Sequence, residues 1–147
     1  LVYYIVTTSV NVSANVREMI LPAIITSLLI GGTYPLTQVY QHQQDKNDEV
    51  TTLSYVLGVN GTFVFCGIVL FVALLLLAIY FVNTGQLYSL PVYGIAMLPV
   101  GIYFTGWFIK VKKDMTNANF KNLMKMNFVA SVCSSVAFIT ILIINKY

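Results

Sequence analysis

Four apolar stretches without a single charged residue run through this chain, at about Ile20 to Tyr40, Gly61 to Val82, Leu90 to Ile109 and Met126 to Asn145. At about 1.5 Å rise per residue, some twenty residues make a helix about 30 Å long, the thickness of a bilayer's hydrocarbon core. A transmembrane strand needs alternating apolar and polar positions, whereas Val69 to Ala78 is apolar on every side. The stretches therefore read as four membrane-crossing helices. Of the 147 residues 58% are hydrophobic and 9% charged, against about a quarter charged in soluble domains. A soluble enzyme, a nucleic-acid-binding domain and a disordered chain are excluded. The expected fold is an all-α, polytopic transmembrane helix bundle forming a single domain over 1–147. Leu1 to Val10 reads as the end of a fifth helix, so the chain is expected to be the C-terminal fragment of a larger membrane domain.

The charges sit between the spans. The segments Gln41 to Asn60 and Lys110 to Lys125 hold Lys46, Lys110, Lys112, Lys113, Lys121 and Lys125, while the other side has Arg17 and Lys146. Basic residues concentrate on the cytoplasmic side of membrane proteins, so both lysine-bearing loops are expected in the cytoplasm. The same asymmetry accounts for the net charge of +3 without nucleic acid as a partner. The lysine run at Lys110 to Lys113 reads as a topology anchor or as a phosphate contact. Cys66 and Cys133, both inside spans, read as small apolar packers. Pro22, Gly31, Gly32 and Pro35 in the first span, and Gly94, Pro99, Gly101 and Gly106 in the third, allow either close helix packing or a break beside a cavity. Aromatic residues, among them Phe63, Phe71, Phe81, Phe104, Trp107 and Phe108, spread through the spans beyond an interfacial belt.

Polar chemistry collects where the first span ends, in Tyr40-Gln41-His42-Gln43-Gln44-Asp45-Lys46-Asn47-Asp48-Glu49. On a helix continued past Tyr40, Gln41, Gln44, Asp45 and Asp48 share one face. Carboxylates there meet the negative end of the helix dipole, which a hard divalent cation offsets. Mg²⁺ takes one or two carboxylates and keeps several waters. A solvated, mixed-charge helix end is the alternative reading, and His42 fits an interfacial polar residue better than a base or metal ligand. Downstream, Thr51 or Thr52 serves as N-cap, Leu53, Val56 and Leu57 form an apolar stripe, and Gly58 marks a stop. These features describe a short amphipathic helix over the membrane edge, with Asn60 expected to cap the next span.

The stretch Tyr40 to Gly58, with Asp45, a charged turn, Thr52-Leu53 and Leu57-Gly58, resembles the second Asp-rich motif of the UbiA superfamily of intramembrane prenyltransferases. The chain is similar to the second half of that family's bundle of about nine helices. The resemblance implies transfer of a prenyl group from a polyprenyl diphosphate to a lipophilic, often aromatic acceptor, with Mg²⁺ as cofactor. It implies Asp45 as the catalytic metal ligand, with Gln41 and Asp48 as further ligands and Lys46 and Gln44 as diphosphate contacts. Gln41 stands where the family has its first Asp, one negative charge fewer. The first Asp-rich motif would lie upstream, in an N-terminal half that this chain needs as a partner. The expected location is the bacterial inner membrane, with the Asp45 loop cytoplasmic. A non-enzymatic protein, either a transporter half or a relative that has lost catalysis, is the alternative.

Overall fold

A computed structural model describes residues 16–42 and 47–146 of the chain. Within them every regular element is helical. The first crossing is α1 (Val16–Gly31), α2 (Tyr34–Gln38) and a 3-10 turn (Val39–Gln41) in succession; α3 (Leu53–Asn83), α4 (Ser89–Lys113) and α5 (Phe120–Lys146) follow. Four helices, Met19–Gln41, Leu53–Asn83, Ser89–Lys113 and Phe120–Ile144, are long and apolar enough to cross a membrane, so the chain is an integral, multi-pass, all-α bundle. Leu1 to Val10, expected to end a fifth helix, lies outside the described residues.

The first crossing is broken near its middle, for reasons present in its sequence. Gly32 sits against α3, where an added Cβ would overlap Val69 Cγ1. Pro35, in the first turn of α2, has no N–H to contribute to a continuous ladder. Thr33 Oγ1 donates to Leu29 O at 3.3 Å and Ile30 O at 3.0 Å, pairing carbonyls that the break would leave bare in lipid. In α4 the outcome differs. The helix passes through Pro99 unbroken, and a Cβ at Gly94, Gly101 or Gly106 would meet nothing within 4 Å, so these residues make neither a break nor a close contact here.

The helices run longer than their apolar stretches. α4 extends through the three lysines of its last turn. α5 starts at Phe120, ahead of the expected Met126, because Asn119 Oδ1 accepts from Asn122 N at 3.0 Å and caps it. Hydropathy marks the hydrocarbon slab, while caps mark helix ends in the headgroup zone. Tyr40 and Phe120 meet edge to face at 5.5 Å between ring centroids, which places the end of the first crossing and the turn after α4 at the same end of the bundle. The turn between α3 and α4 lies at the other end.

Packing is densest at the end shared by these two loops. Phe63, fully buried, stacks on Phe108 at 5.2 Å, meets Trp107 edge-on at 4.8 Å and touches Phe104 at 5.8 Å. Leu36, Cys66, Val111, Leu123 and Met126 surround this aromatic group. A second cluster of Ile25, Leu77, Phe81, Tyr93, Ala137 and Ile141 closes the opposite half. Cys66 is buried and Cys133 half-buried, both as free thiols. Phe71, by contrast, is 62% exposed on the outer surface.

The turn after α4 is tied down by side chains. Trp107 Nε1 donates to Asn117 O at 2.8 Å, Asn122 Nδ2 to the same oxygen at 2.9 Å, and Asn119 Nδ2 to Thr116 O at 2.8 Å. Asp114 accepts from Thr116 Oγ1 at 2.7 Å and Thr116 N at 2.9 Å, and these bonds hold its carboxyl below the ordinary value of 3.8. A lowered pKa in the folded turn means that the bonds are intact at neutral pH and are lost only as pH falls through that lower value. The Thr116 amide proton shift should therefore titrate with a midpoint below 3.8. In a mild-detergent unfolding titration, Phe63→Ala should destabilise by about 2–3 kcal/mol, the cavity and contact share of the larger Phe→Ala losses in water-surrounded cores. Phe71→Ala should cost less than about 1 kcal/mol, because lipid refills the space it vacates.

Candidate functional site at the loop end

The polar segment after the first crossing is held by hydroxyls rather than by charges. Thr52 caps α3, its side chain accepting from Tyr55 N at 3.3 Å. Six residues on, Gly58 at φ 66° interrupts the helical path, a left-handed conformation that a Cβ disfavours. The leading piece, Leu53 to Leu57, is the short helix expected from the sequence, ended by the expected glycine. Backbone at Asn60 is already helical, since Gly58 is the non-helical residue inside α3. The break itself thus starts the long span, and Asn60 is not its cap.

This short helix folds onto the end of the first crossing. His42 Nε2 lies 3.0 Å from Ser54 Oγ, and the His42 and Tyr55 rings meet edge to face at 5.9 Å. Ser54 is fully buried, 3.3 Å from Thr52 Oγ1. Thr62, also fully buried, donates to Gly58 O at 2.8 Å and Ser54 O at 3.2 Å. His42, Ser54 and Thr62 together form a clasp that ties the membrane-edge helix down and pairs the carbonyls freed at Gly58. His42 acts as the expected interfacial polar residue. Ser54 and Thr62 were not singled out from sequence, although two hydroxyl residues flanking a glycine at a helix break were a readable sign.

Of the expected metal and diphosphate residues, Gln44, Asp45 and Lys46 lie outside the described residues. Gln41 is half-buried, and its Nε2 donates to Tyr40 Oη at 3.0 Å. Asp48 is exposed in the turn after Asn47, and Glu49 follows with φ 55°. No hydrogen bond among the described residues joins Gln41 to Asp48. Nor do the described residues contain a group of three His, Cys, Asp or Glu side chains able to hold a metal ion.

Two apolar grooves lead away from this end. One of about 400 Å³ runs from Leu53 and Gln38 to Ser27 and Gly31; a second, of about 1060 Å³, starts at Ser27 and Gly31 and reaches Asn83 and Thr84 at the far end. Inside the bundle, beside the break in the first crossing, lies a chamber of about 120 Å³ bounded in part by Thr33, Tyr93, Asn127 and Ser134. The Tyr93 hydroxyl is buried there beside Ser134, and Ser134 Oγ contacts Met97 Sδ at 3.8 Å.

No family model, curated protein or solved structure matches this chain. The clasp is open to direct measurement. A double-mutant cycle on His42→Ala and Ser54→Ala should give a coupling of about 0.5–1.5 kcal/mol, the net worth of one hydrogen bond. Amide exchange at Tyr55 and Val56 is the readout, because both N–H groups bond back to Thr52. Additive effects would mean that the two side chains do not hold each other.

Proposed function

We propose that the chain is the C-terminal half of a UbiA-type intramembrane prenyltransferase, which moves a prenyl group from a polyprenyl diphosphate to a lipophilic acceptor. The observation that carries this reading is the clasp. His42 and Ser54 hold a short helix across the end of the first crossing, at the level where its apolar run gives way to polar residues. The apolar grooves beginning at Leu53 and Gln38 supply a path of the right character for an isoprenoid tail.

In this reading Asp45, Gln41 and Asp48 would hold Mg²⁺, and Lys46 and Gln44 would contact the diphosphate. Because Gln41 Nε2 is engaged by Tyr40, its carbonyl oxygen is the atom turned to other partners. That oxygen and the exposed Asp48 carboxylate are hard donors of the kind Mg²⁺ accepts, few in number and with room for water. When bound, the metal would offset the charge gathering on the departing diphosphate. The short helix excludes water from one side, and the amide of Gln41, in place of a carboxylate, leaves the site one charge weaker. The lysine-bearing end is placed in the cytoplasm on the positive-inside rule, and the missing upstream half would bring the first Asp-rich motif.

A second reading, a transporter half, draws on the broken first crossing and the chamber beside it, since interrupted helices at midplane are how transporters build sites. Among the described residues that chamber is lined by no Asp, Glu, Lys, Arg or His, which leaves the weight on the membrane-edge segment. The readings separate in an assay of prenyl transfer against Mg²⁺ concentration, with the protein carrying its upstream half. Asp45→Ala should abolish transfer, and Asp48→Ala should reduce it less. Gln41→Asp should lower the Mg²⁺ needed for half-maximal rate roughly tenfold, as one added carboxylate near a divalent ion contributes about 1–2 kcal/mol. Full activity in Asp45→Ala, or transfer indifferent to Mg²⁺, would sink the catalytic reading.

A further inference from the structure

The last span opens with two side-chain stripes suited to different surroundings. Lys121 and Lys125 stand one helical turn apart, and Phe120, Met124 and Phe128 repeat the same spacing beside them. Together they bound a shallow trough of about 550 Å³ on α5. Its apolar side chains are all exposed, Phe128 at 71%. The inward face of α5 is made by other residues, Leu123 and Met126, both buried against the aromatic core. The trough therefore opens on the outer side of α5, with Phe120 at its upper edge also meeting Tyr40.

Charge at this end is one-sided. From Lys110 to Lys125 there are five lysines and one acidic residue, Asp114, a local net of +4. The Asp114 oxygens are already occupied by Thr116, and Lys112 Nζ lies 4.7 Å from the centroid of the Phe108 ring. Lys121 and Lys125 are exposed on a helix start fixed by the Asn119 cap and the Trp107 bond to Asn117, so the pair is presented by a rigid support.

We propose that this trough binds one anionic phospholipid, its phosphate between the Lys121 and Lys125 ammonium groups and an acyl chain along Phe120, Met124 and Phe128. The two stripes run side by side from the start of α5, and Phe128 carries the apolar one a turn deeper than Lys125, so an anion held by the lysines can lie beside a hydrocarbon chain that continues inward. Lys121 to Phe128 spans about 10 Å of helix, within the roughly 15 Å of one leaflet. A covering protein helix would instead have to set carboxylates against both ammonium groups at the same level where it packs on three large apolar side chains. None of residues 41–49 is used, so the site stands apart from the prenyl-transfer reading.

The test titrates phosphatidylglycerol or phosphatidylcholine into the purified protein in neutral detergent and counts bound lipid by native mass spectrometry. The parent should prefer phosphatidylglycerol. Lys121→Gln and Lys125→Gln should each raise its apparent Kd about fivefold, and Phe128→Ser should also weaken it. A charge-matched control, Lys110→Gln with Lys113→Gln, should change the Kd less than about twofold, since those lysines lie on α4. Inorganic phosphate should not compete, because it lacks the acyl chain. Trp107 fluorescence verifies that each variant is folded. Equal binding of the two lipids by the parent, or equal weakening by Lys121→Gln combined with Lys125→Gln and by the α4 pair, would overturn the site. So would protection of a Phe128→Cys thiol from a lipophilic maleimide in phosphatidylcholine vesicles, which would show another helix covering the trough.

Discussion

An unpaired peptide carbonyl in hydrocarbon costs several kcal/mol, and among the described residues a threonine hydroxyl stands at both breaks within the crossings and at the end of α3. Thr33 donates to Leu29 O and Ile30 O at the break in the first crossing. Thr62 donates to Gly58 O and Ser54 O at the break in α3. Thr84 donates to Tyr80 O at 2.9 Å and Phe81 O at 3.3 Å where α3 ends. Each threonine reaches back three to eight residues to carbonyls at or beside the interruption, and at Tyr80 O the hydroxyl adds to the backbone bond from Thr84 N at 3.0 Å. Because these hydroxyls carry the polar load, glycine and proline can bend the path, and the bends create the membrane-edge helix and the central chamber.

The fold was legible because hydropathy alone decides which segments enter lipid, and no competing interaction of similar size exists in a segment such as Val69 to Ala78. Helix ends were less legible. α5 begins at Phe120 because of the Asn119 cap, a headgroup-zone detail to which an apolar-run criterion is blind. Gly58 was readable as a stop, since the apolar stripe before it ends there and only glycine adopts its φ without strain. The glycines of α4 were ambiguous in sequence for a physical reason: a small residue permits close approach but does not compel it, and whether a neighbour arrives depends on the other three helices. Within the candidate site, His42 was legible as a polar edge residue. Its partner Ser54 was not, because a serine in a capping turn has many possible local partners and the twelve-residue link to His42 has no periodicity.

The two ends of the bundle are built differently, and the difference orders the chemistry they can support. At the loop end, Phe63 is held by three aromatic rings and both turns are cross-bonded. Buried aromatics in contact resist displacement, so side chains mounted there keep their relative positions. Toward the far end, the larger groove opens between α1 and α3, a geometry that admits a flexible apolar chain. A fixed polar end joined to a yielding apolar one is what an amphiphilic ligand requires, since its headgroup pays for orientation and its tail does not.

Electrostatics at the loop end adds one further step. Asp45, Asp48 and Glu49 cluster in one short segment, while the five lysines between Lys110 and Lys125 belong to α4 and α5. The Tyr40–Phe120 contact brings the end of the first crossing and the start of α5 together, while the exposed Asp48 and Glu49 and the lysines of α4 and α5 belong to different elements. In the proposed readings a cation would serve the acidic segment and an anion the basic rim. Screening over about 8 Å at physiological ionic strength confines each field to its own neighbourhood. A phosphate-bearing amphiphile diffusing in the membrane would be drawn first to the lysine rim on the outer face of α5.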